Sequence, residues 1–139
     1  MSPNNQPISL SILFRLFAVL LFCSVLSFQL VAQSKKNVGK VLYGQASFYG
    51  NKFNGRKTAS GEVFSQTKYT CACNALPLGT WVKVTNLRNG RSVIVKVNDR
   101  IHPKVRRVVD LSKIAAMKLA FVASGLTRVK VEVLPKGKY

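Results

Sequence analysis

Carboxylates are the scarcest reactive groups in this chain of 139 residues, which carries 22 lysines and arginines against four aspartates and glutamates. The four acids are Glu62, Asp99, Asp110 and Glu132. Cleavage of a glycosidic bond typically uses two carboxyl groups, one to protonate the leaving oxygen and one to stabilise positive charge on the sugar ring. Glu62 and Asp99 are the two acids whose local sequence suits such a pair.

Asp99 follows an apolar strand predicted over Val93–Val97, so it lies where a buried strand opens into a loop. Partial burial prepares a carboxyl group there to give up a proton at neutral pH. The simpler alternative is an aspartate that caps the following turn or pairs with Arg100. Glu62 ends the turn-like stretch TASGE, and its simpler alternative is an ordinary surface acid.

The other two acids have structural interpretations. Asp110 precedes Leu111 and Ser112 at the start of a predicted helix, where an aspartate serves as an N-cap. Glu132 alternates with valines in the segment VKVEVL, so we expect it to face solvent and to serve solubility alone.

Short strand-like segments separated by turns must position these groups. The predicted strands are Leu42–Tyr49, Tyr69–Cys73, Thr80–Thr85, Val93–Val97 and Arg128–Leu134. Two of them flank the turn Asn86–Gly90, which predicts a β-hairpin with positive φ at Asn89 and Gly90. One helix is predicted over Ser112–Phe121, with Gly125 ending it. Several short strands and one helix favour a small closed barrel, because closure hides sheet edges.

An apolar run over Leu16–Val31 follows the single basic residue Arg15. This layout predicts a secretory signal peptide over residues 1–32, with cleavage near Ala32, and export to the periplasm or cell envelope. An uncleaved anchor is the alternative. A lipid anchor at Cys23 is not expected, because the bulky Phe22 precedes it. Residues 33–40 are predicted to be a flexible basic lead-in, 41–135 the folded domain and 136–139 a tail.

Removal of that leader takes away one arginine and no acid, which leaves 21 basic against four acidic residues and a formal charge of +17. Such a charge attracts polyanions. For an exported protein these are anionic envelope polymers and peptidoglycan carboxylates. Nucleic acid would be the first partner in the cytosol, but no helix concentrates the basic residues and no nucleic-acid-binding motif is visible, so none is expected.

Five sequence blocks carry a family resemblance: GQASFYG from Gly44, FNGRKTASGE from Phe53, the long block from Leu76 to Arg100, VVDLSKIAAMKL from Val108, and SGLTRVKVEVL from Ser124. Together they resemble the rare lipoprotein A family of lytic transglycosylases. The resemblance implies a mostly β fold, a six-stranded double-psi β-barrel with one or two short helices.

The resemblance also implies a reaction. Glu62 and Asp99 match the family's proposed catalytic carboxylates. Asp99 would act first as acid and then as base in cleaving the bond between N-acetylmuramic acid and N-acetylglucosamine, which gives a 1,6-anhydro end. Glu62 would orient Asp99 or stabilise the oxocarbenium-like state.

Six further residues are predicted to bind substrate. Tyr49, beside Phe48, is a candidate sugar platform or else a core aromatic, and Arg100 either holds Asp99 ionised or contacts the glycan. His102 is a candidate replacement for a family imidazole or else a solvated loop residue. The remaining predicted binding residues are Thr58, Ser60 and Asp110.

Two departures from the family bear on activity. Cys73 stands where many relatives have a histidine, and Ile101 and His102 interrupt the common motif DRGP. A non-catalytic, expansin-like module that binds or loosens the wall is therefore the second hypothesis. No C-terminal peptidoglycan-binding repeat follows the last predicted strand, so targeting is expected to rest on charge and the barrel groove.

The cysteines raise a third possibility, in which Cys73 is a nucleophile with His102 as base, or both join Cys71 around zinc. Buried thiols are the favoured interpretation, because two neighbouring cysteines and one histidine make a weak zinc signature. A disulfide between residues so close in sequence would be strained. We therefore expect no disulfide, no metal and no cofactor, and a monomeric protein.

Overall fold

The computed structural model describes residues 9–21, 37–137 and 139. The chain divides into two compact units, Met1–Lys36 and Asn37–Tyr139. In the first unit, residues 10–21 form a helix, α1, whose apolar side chains are exposed. None of the helices in the described ranges has the length and apolarity to cross a membrane. Cys23 and the predicted cleavage position at Ala32 lie outside the described residues, so the signal peptide stays a prediction.

The second unit is built on six strands that close into a barrel in the order β1-β5-β2-β4-β3-β6. The strands are β1 (Val41–Phe48), β2 (Thr70–Ala72), β3 (Trp81–Asn86), β4 (Ser92–Asp99), β5 (Val109–Leu111) and β6 (Thr127–Val133). The pairs β1–β5 and β2–β4 are parallel, and the other four are antiparallel. The predicted mostly β, six-stranded barrel is confirmed.

Alternating valines form the core of this barrel. Val82 and Val84 of β3 pair with Val95 and Val93 of β4, and all four are buried. Burying such a side chain contributes roughly 1.5–3 kcal/mol, so the alternation itself drives closure. The residues between the valines face outward. Among them is Glu132, which forms an ion pair with Lys130 at 3.2 Å and lies on the outer face, as the alternation predicts.

Strand β5 was not among the strands predicted from the sequence, because three residues are too few to show an alternation of apolar and polar side chains. Asp110 is its middle residue, so the prediction of Asp110 as a helix N-cap is wrong. Helix α2 spans Lys113–Lys118 and has Ser112 at its N-cap position, although the Ser112 side chain makes no capping hydrogen bond. A 3-10 helix spans Asn51–Phe53.

Helix α2 ends earlier than the predicted Phe121. Ala120 adopts the left-handed conformation with φ 56, which ends the helix before the expected stop at Gly125. The β3–β4 hairpin forms as predicted, but of its two turn residues Gly90 alone has a positive φ. Asn89 instead acts through its side chain, which donates to the Leu119 carbonyl at 3.0 Å.

Both ends of the second unit contact the barrel. The Gly39 amide donates to the Val133 carbonyl at 3.1 Å, so the described part of the predicted lead-in joins the end of β6. At the other end, the Tyr139 ring lies against the Trp81 ring, with 5.6 Å between centroids.

A β-bulge in β4 positions the residues at its end. Cys71 of β2 pairs with Val97, whereas the next residue, Ala72, pairs with Asp99. Asn98 is therefore the extra residue of the bulge. Bulges re-aim side chains near functional sites, and this one presents Asn98 and Asp99 to different neighbours.

Asn86 gives the first testable prediction. Its buried side chain donates to the Leu119 carbonyl and accepts from the Thr127 hydroxyl at 2.8 Å, which ties α2 and β6 to the hairpin. We expect Asn86→Ala to lower the free energy of unfolding by about 2 kcal/mol, because the buried Thr127 hydroxyl loses its acceptor.

Asn89→Ala is the matched control for urea denaturation. Asn89 is exposed, and the Leu119 carbonyl keeps its bond to Asn86 in that variant. Equal losses for the two variants would contradict the assignment of the network to Asn86.

Candidate active site

A cleft of about 630 Å³ opens where β1 and β4 end. Its aromatic wall is formed by Tyr49, Phe53 and Phe64, and its basic residues are Arg56, Lys57, Arg100 and Arg107. The acids that line it are Asp99 and Asp110, and His102 also lines it. An apolar wall with a few polar groups and a carboxylate is the usual composition of a ligand site.

Asp99 is held by three donors from three parts of the chain. The Tyr49 hydroxyl donates to Oδ2 at 2.7 Å. The backbone amides of Ala59 and Arg100 donate to Oδ1 at 2.9 and 2.8 Å. These bonds fix the orientation of the carboxyl group at the cleft, which a proton-transferring group requires.

Tyr49 connects the aromatic wall to this carboxylate. Its ring lies against Phe64, with 4.4 Å between centroids, and against Phe53 at 5.6 Å. Burial, together with the hydrogen bond to Asp99, raises the pKa of the Tyr49 hydroxyl well above its ordinary value. The hydroxyl therefore stays protonated and acts as a permanent donor to Asp99. This is a positioning role that the sequence did not indicate, alongside the predicted role as a sugar platform.

Glu62 sits outside the cleft lining, in a turn that runs alongside the β4 bulge. Its Oε2 accepts from the Asn98 amide at 3.1 Å, and its Oε1 accepts from Lys96 Nζ at 3.1 Å. These two bonds lower the pKa of the Glu62 carboxyl, so it is ionised at neutral pH. No direct hydrogen bond joins Glu62 and Asp99 among the described residues. They are linked through Asn98 and through the turn.

That turn also contains Thr58 and Ser60. Their hydroxyls lie 2.9 Å apart, and the Ser60 amide donates to the Asn98 carbonyl at 3.1 Å. Thr58 is buried, and neither residue lines the cleft. Both therefore shape the turn that supplies the Ala59 amide to Asp99. Their predicted contact with substrate stays a prediction.

Asp110 lies in the cleft as half of an ion pair. Arg107 donates to it twice, at 2.6 and 2.9 Å, and the Ser47 hydroxyl donates at 3.1 Å. The hydrogen bond to Asp110 raises the pKa of Arg107. Bidentate pairing of this kind fixes the guanidinium plane. The strand-centred Asp110 thus anchors a cation at the cleft, and its predicted substrate contact remains open to test.

Arg100 does not pair with Asp99 through its guanidinium. Its Nη1 donates to the carbonyls of Cys73 and, at 2.7 Å, Leu76, while its backbone amide contacts Asp99. The suggestion that an Asp99–Arg100 ion pair holds the carboxylate is therefore wrong. His102 is exposed, and its Nδ1 accepts from the Lys104 amide at 3.3 Å. Both residues line the cleft.

Cys71 and Cys73 are free, buried thiols. Burial raises the pKa of both, so they are neutral at physiological pH. A neutral, buried thiol is a poor nucleophile and a poor zinc ligand. Within the described ranges, no three histidine, cysteine, aspartate or glutamate side chains come together as a metal site.

Three residues of this arrangement escaped the sequence analysis. Asn98 holds Glu62, Arg107 clamps Asp110, and Ser47 supports that clamp. Asn98 could have been suspected because it directly precedes Asp99 at the end of a strand. The pairing of Ser47 with Asp110 depends on the parallel β1–β5 register, which no local pattern reveals.

Comparison with known proteins places this arrangement in a family. A family model described as "Lytic transglycolase" matches residues 41–131, which is most of the chain. The chain belongs to the RlpA-like double-psi β-barrel family. The match covers all of β1 to β5 and most of β6.

Curated members of the RlpA-like family are similar in sequence. The chain is 50% identical over 102 residues to "Endolytic peptidoglycan transglycosylase RlpA" of Pasteurella multocida, a match that covers 73% of the chain and 34% of that protein. It is 52% identical over 91 residues to the protein of that name in Pseudomonas aeruginosa PAO1, covering 66% of the chain and 27% of the relative. The chain thus spans about a third of the length of such relatives.

Solved structures share the fold at lower identity. A Streptomyces papain inhibitor matches with a TM-score of 0.57 and 24% identity, covering 70% of this chain and 96% of the inhibitor. An expansin of Clavibacter michiganensis matches with a TM-score of 0.54 and 23% identity, covering 72% and 53%. These likenesses identify the same kind of barrel.

The buried thiols give the second prediction. We expect Cys71 and Cys73 of the native chain to resist iodoacetamide at pH 7.5, and both to react once the chain is unfolded in urea, because alkylation requires an accessible thiolate. Peptide mapping by mass spectrometry separates the two sites. Rapid native labelling of Cys73 would restore the nucleophile hypothesis.

Proposed function

We propose that this chain is a peptidoglycan lytic transglycosylase, which cleaves the bond between N-acetylmuramic acid and N-acetylglucosamine in glycan strands. The observation that carries the proposal is the triply hydrogen-bonded Asp99 in an aromatic and basic cleft. The names of the curated relatives support the same reaction.

Asp99 is the proposed proton carrier. In its acid form it protonates the glycosidic oxygen, and the bond from that oxygen to the muramoyl C1 breaks. The resulting carboxylate then takes the proton of the muramoyl 6-hydroxyl, whose oxygen bonds to C1 and forms the 1,6-anhydro ring. Asp99 regains its proton, and no water enters the product. One correctly oriented carboxyl group can serve both steps.

Glu62 is proposed to act through its neighbours. As a carboxylate held by Lys96 and Asn98, it fixes the turn and bulge that present donors to Asp99. Its place outside the cleft lining favours orientation of Asp99 over direct stabilisation of an oxocarbenium-like sugar. Glu62 is therefore a positioning residue in this scheme.

The basic cleft supports an acidic glycan as substrate. Arg56, Lys57 and Arg107 line it beside the aromatic wall. Peptidoglycan carries carboxylates on its stem peptides, and on the lactyl groups of muramoyl residues from which the stem has been removed. We also propose that the chain is exported to the periplasm or cell envelope, where this polymer lies. The supports for export are the apolar leader segment and the family membership.

A non-catalytic wall-binding module is the second candidate, favoured by Cys73. The Cys73 amide donates to the Asp99 carbonyl at 3.1 Å, so this residue adjoins the proposed acid through the backbone. Its buried, neutral thiol cannot replace the proton chemistry of an imidazole. A chain without turnover would retain the cleft as a glycan-binding groove.

Asp99→Asn gives the third prediction. We expect this variant to lose release of anhydro-muramoyl products from purified sacculi by about 10²–10⁴-fold, because the amide cannot exchange the proton. Mass spectrometry of the soluble products is the measurement. Glu62→Gln should lose less activity, because the introduced amide oxygen would still accept from the Asn98 amide.

The products of the unmodified chain separate the candidate functions. Reducing ends in place of anhydro ends would mean hydrolysis. Binding to sacculi without product release would favour the non-catalytic module.

Tyr49→Phe gives the fourth prediction. The variant keeps the ring packing and loses one donor to Asp99, so we expect kcat to fall by about 10-fold while KM for solubilised glycan changes little. Tyr43→Phe, at an exposed tyrosine of β1, is the matched control. A changed KM with unchanged kcat would make Tyr49 a sugar platform alone.

A further inference from the structure

The outer face of the β3–β4 hairpin bears a second groove system. Two depressions, of about 410 and 380 Å³, share Tyr69 and Ile94 and have no lining residue in common with the cleft. We call this surface the lysine face, and its principal residues are Lys68, Tyr69, Trp81, Lys83, Ile94 and Lys118.

The strand register creates the lysine face. Trp81 pairs with Lys96 across β3 and β4, and Lys83 pairs with Ile94. The valines between them point into the core, so these four side chains share the outer surface. The alternation that builds the core therefore also lines up aromatic, apolar and cationic groups outside.

The lysine face is positively charged. Within the described part of the chain, Lys68, Lys83 and Lys118 take part in no ion pair, whereas Lys96 pairs with Glu62 at one border. At the opposite border Glu132 stands across from Lys83, but it is already paired with Lys130. Lys68 also helps to lower the pKa of Glu62, so Lys83 and Lys118 are the cations left for an external anion.

Aromatic rings accompany these cations. Lys118 Nζ lies 5.5 Å from the centroid of the ring of Tyr69, a residue that is 40% exposed, and the Trp81 ring lies against Tyr139. Flat apolar ring faces suit the C–H faces of sugar rings, and amphipathic aromatics are enriched at binding surfaces for this reason.

We propose that the lysine face binds a second length of peptidoglycan glycan, with lysines on muramoyl carboxylates and the rings of Tyr69 and Trp81 against the sugars. Charge complementarity, with the exposed ring of Tyr69 and the half-buried ring of Trp81, selects an acidic polysaccharide as the occupant. The identity of the polymer rests on the proposed function. The face would keep the chain on its polymer while the cleft acts on another stretch.

Trp81 makes the proposal directly measurable, because it is the sole tryptophan of the sequence. Its emission is recorded in the Asp99→Asn chain, which removes turnover, during titration with soluble peptide-free glycan strands that bear free lactyl carboxylates. We expect a saturable emission change that weakens as salt is added. Chitin oligosaccharides, which lack the carboxylate, should give no change at equal concentration.

Substitutions that remove positive charge show which surface produces the change in Trp81 emission. We expect the double variant Lys83→Gln with Lys118→Gln to raise the apparent Kd by about fivefold. The double variant Lys40→Gln with Arg128→Gln removes the same charge from exposed positions outside the lysine face and should leave Kd within about twofold. Equal effects of the two would reduce the binding to net charge and overturn the proposal.

Two outcomes keep this proposal distinct from the proposed function. If the unmodified chain releases anhydro products but glycan does not change the Trp81 emission, glycan binding at the lysine face is overturned and the proposed lyase activity stands. A change in Trp81 emission without product release would support glycan binding at the lysine face and contradict the proposed lyase activity. A response to a phosphate polymer alone would also overturn the assignment to peptidoglycan.

Discussion

The three hydrogen bonds to the Asp99 carboxylate are donated by three separate segments of the barrel unit. One donor comes from the end of β1, one from the turn that holds Glu62, and one from the backbone just after β4. No single segment could hold the carboxylate in this way. The closed barrel brings the three segments together, and the valine core maintains the closure. The loss of conformational entropy on ordering these segments is thereby offset by the free energy of burying apolar side chains in the barrel core.

Two other acids near this carboxylate are each held in an ion pair. Glu62, outside the cleft lining, is held by Lys96 and Asn98, and Asp110, which lines the cleft, is held by Arg107 and Ser47. Glu62 and Asp110 are each paired with a cation, whereas the donors that contact the Asp99 carboxylate are all neutral. This difference in hydrogen-bond partners separates the proposed proton carrier from the other acids more clearly than position in the sequence does.

The sequence predicted the barrel and its hairpin well, because alternating valines and an Asn-Gly turn are local signals. It also singled out Asp99 and Glu62, with family resemblance adding their roles. Strand β5 escaped because three residues show no period, and Asp110 was misassigned as a cap as a result. The Asn98 bulge, the Tyr49 bond to Asp99 and the Arg100 contacts with carbonyls arise from tertiary pairing. No residue spacing encodes such contacts.

The unpaired thiols in the core have a consequence for the lifetime of the protein. In an oxidising compartment, Cys71 and Cys73 are protected only while the barrel stays closed, because burial keeps them protonated and out of reach. Each global opening exposes them to oxidants, and an oxidised or cross-linked thiol cannot return to its place in the core. In such a compartment, the working lifetime of the chain is set by how rarely the barrel opens, which is a kinetic limit, and not by its equilibrium stability alone.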